Sequence, residues 1–124
     1  MIDHVSIAVR DLAVCGRFYE TVLETLGFSK LVARTGTVGF GKRYPEFWLN
    51  ERRAVTAPDP DSGNHICLRA PDRSSVDAFH AAALKAGGSS DGPPGVRPQY
   101  NVGYYAAFIR DPEGNRIEAV VHRG

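Results

Sequence analysis

The sequence predicts an α+β fold built from two β-α-β-β-β modules. Three observations predict it. Two stretches align without gaps over 17 residues at an offset of 61, with His4 matching His65, Asp11 matching Asp72 and Phe18 matching Phe79. Within each stretch a short alternating run gives way to apolar residues at helical spacing. Thirteen glycines and eight prolines then punctuate the remaining chain into short pieces, as a fold with many turns requires.

The elements follow in order. Val5, Ile7 and Val9 alternate with His4, Ser6, Ala8 and Arg10, the pattern of a half-buried strand. Asp11 stands at a helix N-cap, Cys15, Phe18, Tyr19, Val22 and Leu26 form one apolar stripe, and Gly27 suits the stop. Residues 28–34, 37–41 and 46–50 read as three short strands. Residues 51–63 are polar and contain Pro58, Asp59, Pro60 and Asp61, which reads as an exposed connection. The pattern restarts with Asn64-His65-Ile66-Cys67-Leu68-Arg69 as a strand and Asp72 as an N-cap. Val76, Phe79, His80, Ala83 and Leu84 form the second stripe, and Gly87-Gly88 the stop. Residues 89–98 read as a glycine- and proline-rich loop. Residues 104–110 and 116–122 then form a hairpin about Asp111-Pro112-Glu113-Gly114-Asn115. Setting Glu46-Phe47-Trp48 against Glu118-Ala119-Val120 gives a second offset of 72, so the second module is expected to carry 11 extra residues before the final hairpin. His80 lies on the apolar stripe and reads as a core or boundary histidine. His122 is close to the terminus and reads as frayed. Gly36, Gly41 and Lys42 have phosphate-loop spacing, but Arg43 and Tyr44-Pro45 follow where a hydroxyl residue and a helix belong.

One domain over residues 1–124 is expected, with module 1 at about 1–52, a connection at about 53–63 and module 2 at about 64–124. A sixty-residue module is marginal alone, so the two should pack together. The formal charge is +1, which gives no basic field for nucleic acid. No apolar run approaches a membrane span, and Met-Ile-Asp-His-Val lacks a leader pattern. Cys15 and Cys67 read as two buried thiols in a reducing, cytoplasmic setting.

The repeat puts a histidine at the start of each module and a glutamate in the last strand of each. His4 and His65 lie on the face opposite the apolar one, and Glu118 alternates with Ile117 and Ala119 in the same way. Two imidazoles and two carboxylates meeting on one concave face make a set for a divalent first-row metal, Ni, Zn, Co, Mn or Fe(II). Taken singly, each residue reads more readily as a capped or solvent-facing one than as a ligand. The repeat-equivalent positions favour the ligand reading.

These residues also carry a family resemblance. His4-Val-Ser-Ile-Ala-Val-Arg-Asp-Leu, His65-Ile-Cys-Leu and Phe108-Ile-Arg-Asp-Pro-Glu-Gly-Asn-Arg-Ile-Glu118 resemble the vicinal oxygen chelate superfamily, the glyoxalase, bleomycin-resistance and extradiol-dioxygenase group. The resemblance implies paired βαβββ modules whose mixed sheet curls into a cup with the helices outside. It implies a metal held by His4, Glu46, His65 and Glu118. Glu46 to Asn50 is similar to the second-ligand strand of bacterial glyoxalase I enzymes. Ala8 stands where glutathione-dependent members carry an arginine; Arg10 and Arg69 share the histidine-bearing strands and are candidates to compensate.

The function so implied is that of a divalent-metal-dependent lyase or isomerase. Glu118 or Glu46 would move a proton on a small oxygenated metabolite. A metal-free sequestering protein of the bleomycin-resistance type and a metal-dependent thiol transferase of the fosfomycin-resistance type are the alternatives. Trp48 shares strand parity with Glu46, and Tyr100, Tyr104 and Tyr105 follow the insertion; each is a candidate substrate contact, with ordinary packing as the alternative. A homodimer is expected, with the quartet closed either within one chain or between two.

Overall fold

The computed structural model describes residues 1–122. The element order is β1 (Val5–Val9), α1 (Leu12–Glu24), β2 (Ser29–Arg34), β3 (Thr37–Gly41) and β4 (Pro45–Glu51), followed by β5 (Ile66–Arg69), α2 (Arg73–Lys85), β6 (Ser89–Val96), β7 (Tyr105–Arg110) and β8 (Arg116–Val121). Each module makes one four-stranded mixed sheet, ordered β1-β4-β3-β2 in the first and β5-β8-β7-β6 in the second. β1 runs parallel to β4, and β5 to β8; the other neighbours are antiparallel. The α+β reading and the two βαβββ modules are therefore what the chain adopts. The two sheets stay separate, so β1 and β5 each end a sheet.

The helices form where their caps and stripes dictate. The Asp11 carboxylate accepts from the Val14 N–H at 3.1 Å, and the Asp72 carboxylate from the Ser75 N–H at 2.8 Å. α1 buries Cys15, Phe18, Tyr19, Val22 and Leu23, and α2 buries Val76, Phe79 and Ala83. Against them lie the alternate residues Phe47 and Leu49 of β4 and Ile117 and Ala119 of β8, in one continuous core. Full burial of each large apolar side chain stabilises by about 1.5–3 kcal/mol. The modules approach closely at Gly88, where a Cβ would sit 2.5 Å from the Arg110 carbonyl and 2.8 Å from the Phe18 ring. His80 lies at the boundary, with Nε2 2.8 Å from the Ser90 hydroxyl.

Three expectations change. Residues 89–96 form the strand β6, not a loop. β6 pairs only with β7, and its register shifts on both sides of Gly92. An edge strand with bulges is where Pro93 and Pro94 can be accommodated, since they have no N–H to donate. Cys67 is exposed while Cys15 is buried, because Cys67 points away from the helix-facing Ile66 and Leu68 on an edge strand.

The third change concerns the repeat. β1 pairs Val5 with Phe47, and β5 pairs Ile66 with Ile117. Phe47 and Ile117 are therefore equivalent, an offset of 70 and not 72. The equivalent of Glu118 is Trp48, and the insertion is shorter by two residues. A two-residue slip preserves the alternation of faces, so periodicity does not reveal it. The extra residues are spread between a longer β6, the 97–104 connection and the 111–115 turn.

Candidate functional site

The face of each sheet turned away from its helix carries the polar residues. On the second sheet one cross-strand row reads Cys67, Glu118, Phe108 and Gly92. Glu118 is almost fully buried, at 2% exposure. Its carboxylate is satisfied on both oxygens: His65 Nε2 lies 2.8 Å from Oε1, and the Tyr104 hydroxyl donates to Oε2 at 2.5 Å. Burial, then the hydrogen bond to Glu118, push the Tyr104 hydroxyl well above its usual range, so it stays a donor. Although Cys67 as a residue is exposed, its sulfur is partly desolvated beside Glu118, and these two effects push the thiol up to about 12, which keeps it protonated and a poor nucleophile. The His65 side chain is half exposed. It also lines a cleft of about 400 Å³ between β1, the connection before β5 and the β7–β8 turn, together with Thr56, Ser62 and Asn64.

On the first sheet the equivalent row reads Ser6, Trp48, Gly39 and Val32. The two faces thus place their aromatic on different strands. Phe108 pairs beside Glu118 in the second, whereas Trp48 takes the carboxylate's place in the first and Gly39 the aromatic's. His4, Arg34, Tyr44, Trp48 and Asn50 line an open cleft of about 560 Å³. His4 Nδ1 is 2.7 Å from the Asp3 carboxylate, and the Thr37 hydroxyl donates to Asn50 Oδ1 at 2.8 Å. Glu46 lies at an irregularity of the ladder: Pro45 pairs with Gly41 and Phe47 with Phe40, leaving Glu46 without a partner.

The expected site residues are therefore distributed as follows. His65, Glu118 and Tyr104 come together. His4, Trp48 and Asn50 line the other sheet's cleft. Tyr100 stacks edge-on against Tyr104 with ring centroids 5.2 Å apart, so it lies beside the first group. Tyr105 does not join it: its hydroxyl donates to Asp77 at 2.6 Å, and Arg73 lies over its ring at 4.7 Å, both residues of α2. Arg10 is drawn to the Glu113 carboxylate through its backbone N–H at 2.7 Å and its Nε at 3.4 Å. Arg69 shares the open face of Cys67. Arg34, Tyr44 and Gly39 were not singled out from the sequence. The signal for Arg34 was its cross-strand row, since it pairs with Thr37 and Thr37 with Asn50.

A divalent ion needs at least three protein donors in a site of this type. His65 and Glu118 supply two. Among the described residues no three His, Cys, Asp or Glu side chains come together, and Trp48 occupies the position where the repeat would put the second carboxylate. Among the described residues, the donors of one chain do not make up such a centre.

Comparison with known proteins gives a consistent picture. A family model described as Glyoxalase/Bleomycin resistance protein/Dioxygenase superfamily matches residues 1–119. A glyoxalase/bleomycin resistance protein from Albidiferax ferrireducens T118 is 33% identical, with a TM-score of 0.80 and 95% of each chain covered. A glyoxalase/bleomycin resistance protein/dioxygenase family enzyme from Burkholderia phytofirmans PsJN shares the fold at 19% identity, TM-score 0.73 and 96% of each chain. A glyoxylase/bleomycin resistance protein/dioxygenase domain from Frankia sp. EAN1pec does so at 23% identity and TM-score 0.71, over 99% of this chain and 98% of its own. No curated protein matches.

Proposed function

The chain belongs to the glyoxalase/bleomycin resistance protein/dioxygenase superfamily, and from that premise we propose that it moves a proton on a small oxygenated metabolite. The unit that does so is the His65–Glu118 pair. The observation that carries this reading is the 2.8 Å bond between a half-exposed imidazole and a buried carboxylate. Glu118, fixed from its other side by Tyr104, accepts Nε2–H and leaves Nδ1 as the ring's basic nitrogen. His65 then takes a proton from a hydroxyl-bearing carbon beside a carbonyl, leaving an enediolate, and returns it to the former carbonyl carbon as the hydroxyl proton passes to the other oxygen. Asn64 and Thr56 line the same cleft and offer neutral donors to the oxygen that gains charge. Glu46, unpaired at the bulge, has no part in this scheme.

The test is exchange of solvent deuterium into hydroxyacetone, dihydroxyacetone and glyceraldehyde, followed by NMR. The wild type is expected to catalyse exchange into at least one, and Glu118→Gln and His65→Gln to lose it by about a hundredfold or more. No exchange above the buffer rate in the wild type would end the reading.

A divalent ion belongs to this reading only in an assembly of two chains. His4 of one copy would there join His65 and Glu118 of the other. The free sheet edges at β1 and β5 support pairing of copies as a homodimer. Trp48 in the carboxylate position supports a second reading, in which the chain holds a ligand without turning it over. Cys15 and Cys67 are both unpaired thiols, which suits a reducing, cytoplasmic setting. Among the described residues no helix is long and apolar enough to cross a membrane.

A further inference from the structure

We propose that the open face of the first sheet binds a planar aromatic carboxylate, with its ring on Trp48 and its charge at Arg34. The cleft there, about 560 Å³, is of the size that holds small molecules. Its floor is built to carry a flat indole. Trp48 is half-buried and pairs across the sheet with Gly39. A Cβ at Gly39 would lie 2.8 Å from Trp48 Cζ3 and 2.9 Å from Cε3. Only a residue with no side chain lets the ring lie against β3, and the neighbour on β1 is the small Ser6. The indole is thus held to the sheet, and Tyr44, at 54% exposure, adds a second aromatic wall at the rim.

The charge follows from which polar groups are already committed. His4 is bonded to Asp3, the cleft's carboxylate, and Asn50 to Thr37. The Arg34 guanidinium lies 5.9 Å from the Trp48 ring centroid. Among the described residues it makes no ion pair. An arginine over the indole and without an ion-pair partner among the described residues suits an anionic group attached to a ring that stacks on the same indole. An aliphatic acid would forfeit the stacking, and a neutral aromatic would forfeit the arginine.

This inference does not rest on the proton-transfer reading. It concerns the other sheet, and binding there can hold where deuterium exchange fails. Trp48 is the sole tryptophan of the chain, so its emission reports on the site directly. The full chain is titrated with phenylacetate, cyclohexylacetate and 2-phenylethanol, with excitation at the red edge of tryptophan absorption. Phenylacetate is expected to change the emission saturably. The other two should bind about tenfold more weakly or worse, the scale of one lost stacking or charged contact. Arg34→Gln, at an exposed position, should leave the urea unfolding midpoint unchanged and abolish the preference for phenylacetate over 2-phenylethanol, with each emission change read against the variant's own unliganded spectrum. Trp48→Leu, followed by calorimetry, should lose phenylacetate binding. Absence of a saturable response in the wild type, equal affinity for the three probes, or an unchanged preference in Arg34→Gln would each overturn the proposal.

Discussion

Trp48 and Gly39 show how a single pair decides what a sheet face can do. The indole fits because β3 offers no Cβ beneath it. Gly39→Ala is expected to push the ring off the sheet, since the new methyl would start 2.8 Å from Cζ3. Overpacking of this kind costs about 1–3 kcal/mol. Urea unfolding should show the loss, and the emission of Trp48 should shift to the red as the ring meets water. An unchanged midpoint and spectrum would mean that the ring does not depend on the glycine. His65 was legible from the sequence because its strand recurs, and Glu118 because it alternates with apolar neighbours; the recurrence that set Glu118 against Glu46 does not hold. Trp48 was legible as a wall residue, by parity. That it replaces a carboxylate was not, because parity is blind to a slip of two and only the pairing of Phe47 with Val5 fixes the register.

At the scale of elements, the start of α1 is where the modules are tied together. Its N-terminal donors are met by three carboxylates from three places. Asp11 accepts from Val14, Glu51 at the end of β4 accepts from Leu12 at 3.2 Å, and Glu113 in the β7–β8 turn accepts from Arg10 and Asp11 at 2.7 and 2.8 Å. The same turn is anchored by Asp111, buried and accepting from the Tyr19 hydroxyl at 2.7 Å. Glu113→Ala should cost about 1.5–3 kcal/mol, the scale of hydrogen bonds to a charged group, measured by urea unfolding at neutral pH. Burial raises the Glu113 carboxyl, but the backbone N–H groups of Arg10 and Asp11, with Cys15 and the Arg10 guanidinium, bring it below its ordinary 4.5. Hydrogen bonds from Ser75 hold Asp72 low in the same way. A carboxyl lowered on folding contributes stability that is full above its unfolded value and is lost as pH falls through its folded one. Stability should therefore ease as pH falls through about 6.5, because burial disfavours charging of His80, and decline further below 4.5; the second decline should be shallower in Glu113→Ala. The Asp-Pro-Glu-Gly-Asn turn was legible as a turn. Its hold on a helix about a hundred residues earlier was not, since no local pattern encodes a partner so distant. β6 was hidden for a different reason: Gly92, Pro93 and Pro94 signal a loop unless the strand is known to be an edge.

At the scale of the whole molecule, two sheets carry unlike halves of what the repeat suggested would be one quartet. The second holds a histidine and a buried carboxylate. The first holds a histidine and an indole. On the proposed reading a divalent ion draws His4 from one copy and His65 with Glu118 from another, and this has a consequence that folding defects cannot imitate. His4→Ala and His65→Ala chains should each bind little Zn²⁺ or Ni²⁺ alone. After mixing and subunit exchange, random pairing leaves about a quarter of the sites with both histidines intact. Metal bound per chain should recover to about that fraction of wild type, read by dialysis against a fixed free-metal concentration. Full loss in both variants with no recovery on mixing would place any site within one chain. Metal retained by His4→Ala alone would show that the module 2 pair needs no help from the first sheet. A wild type that sediments as a monomer and binds neither ion would leave the His65–Glu118 pair to act as an acid–base unit on its own. The cross-strand row Ser6, Trp48 and Gly39 would then be the part of the repeat that has exchanged a ligand for a ring.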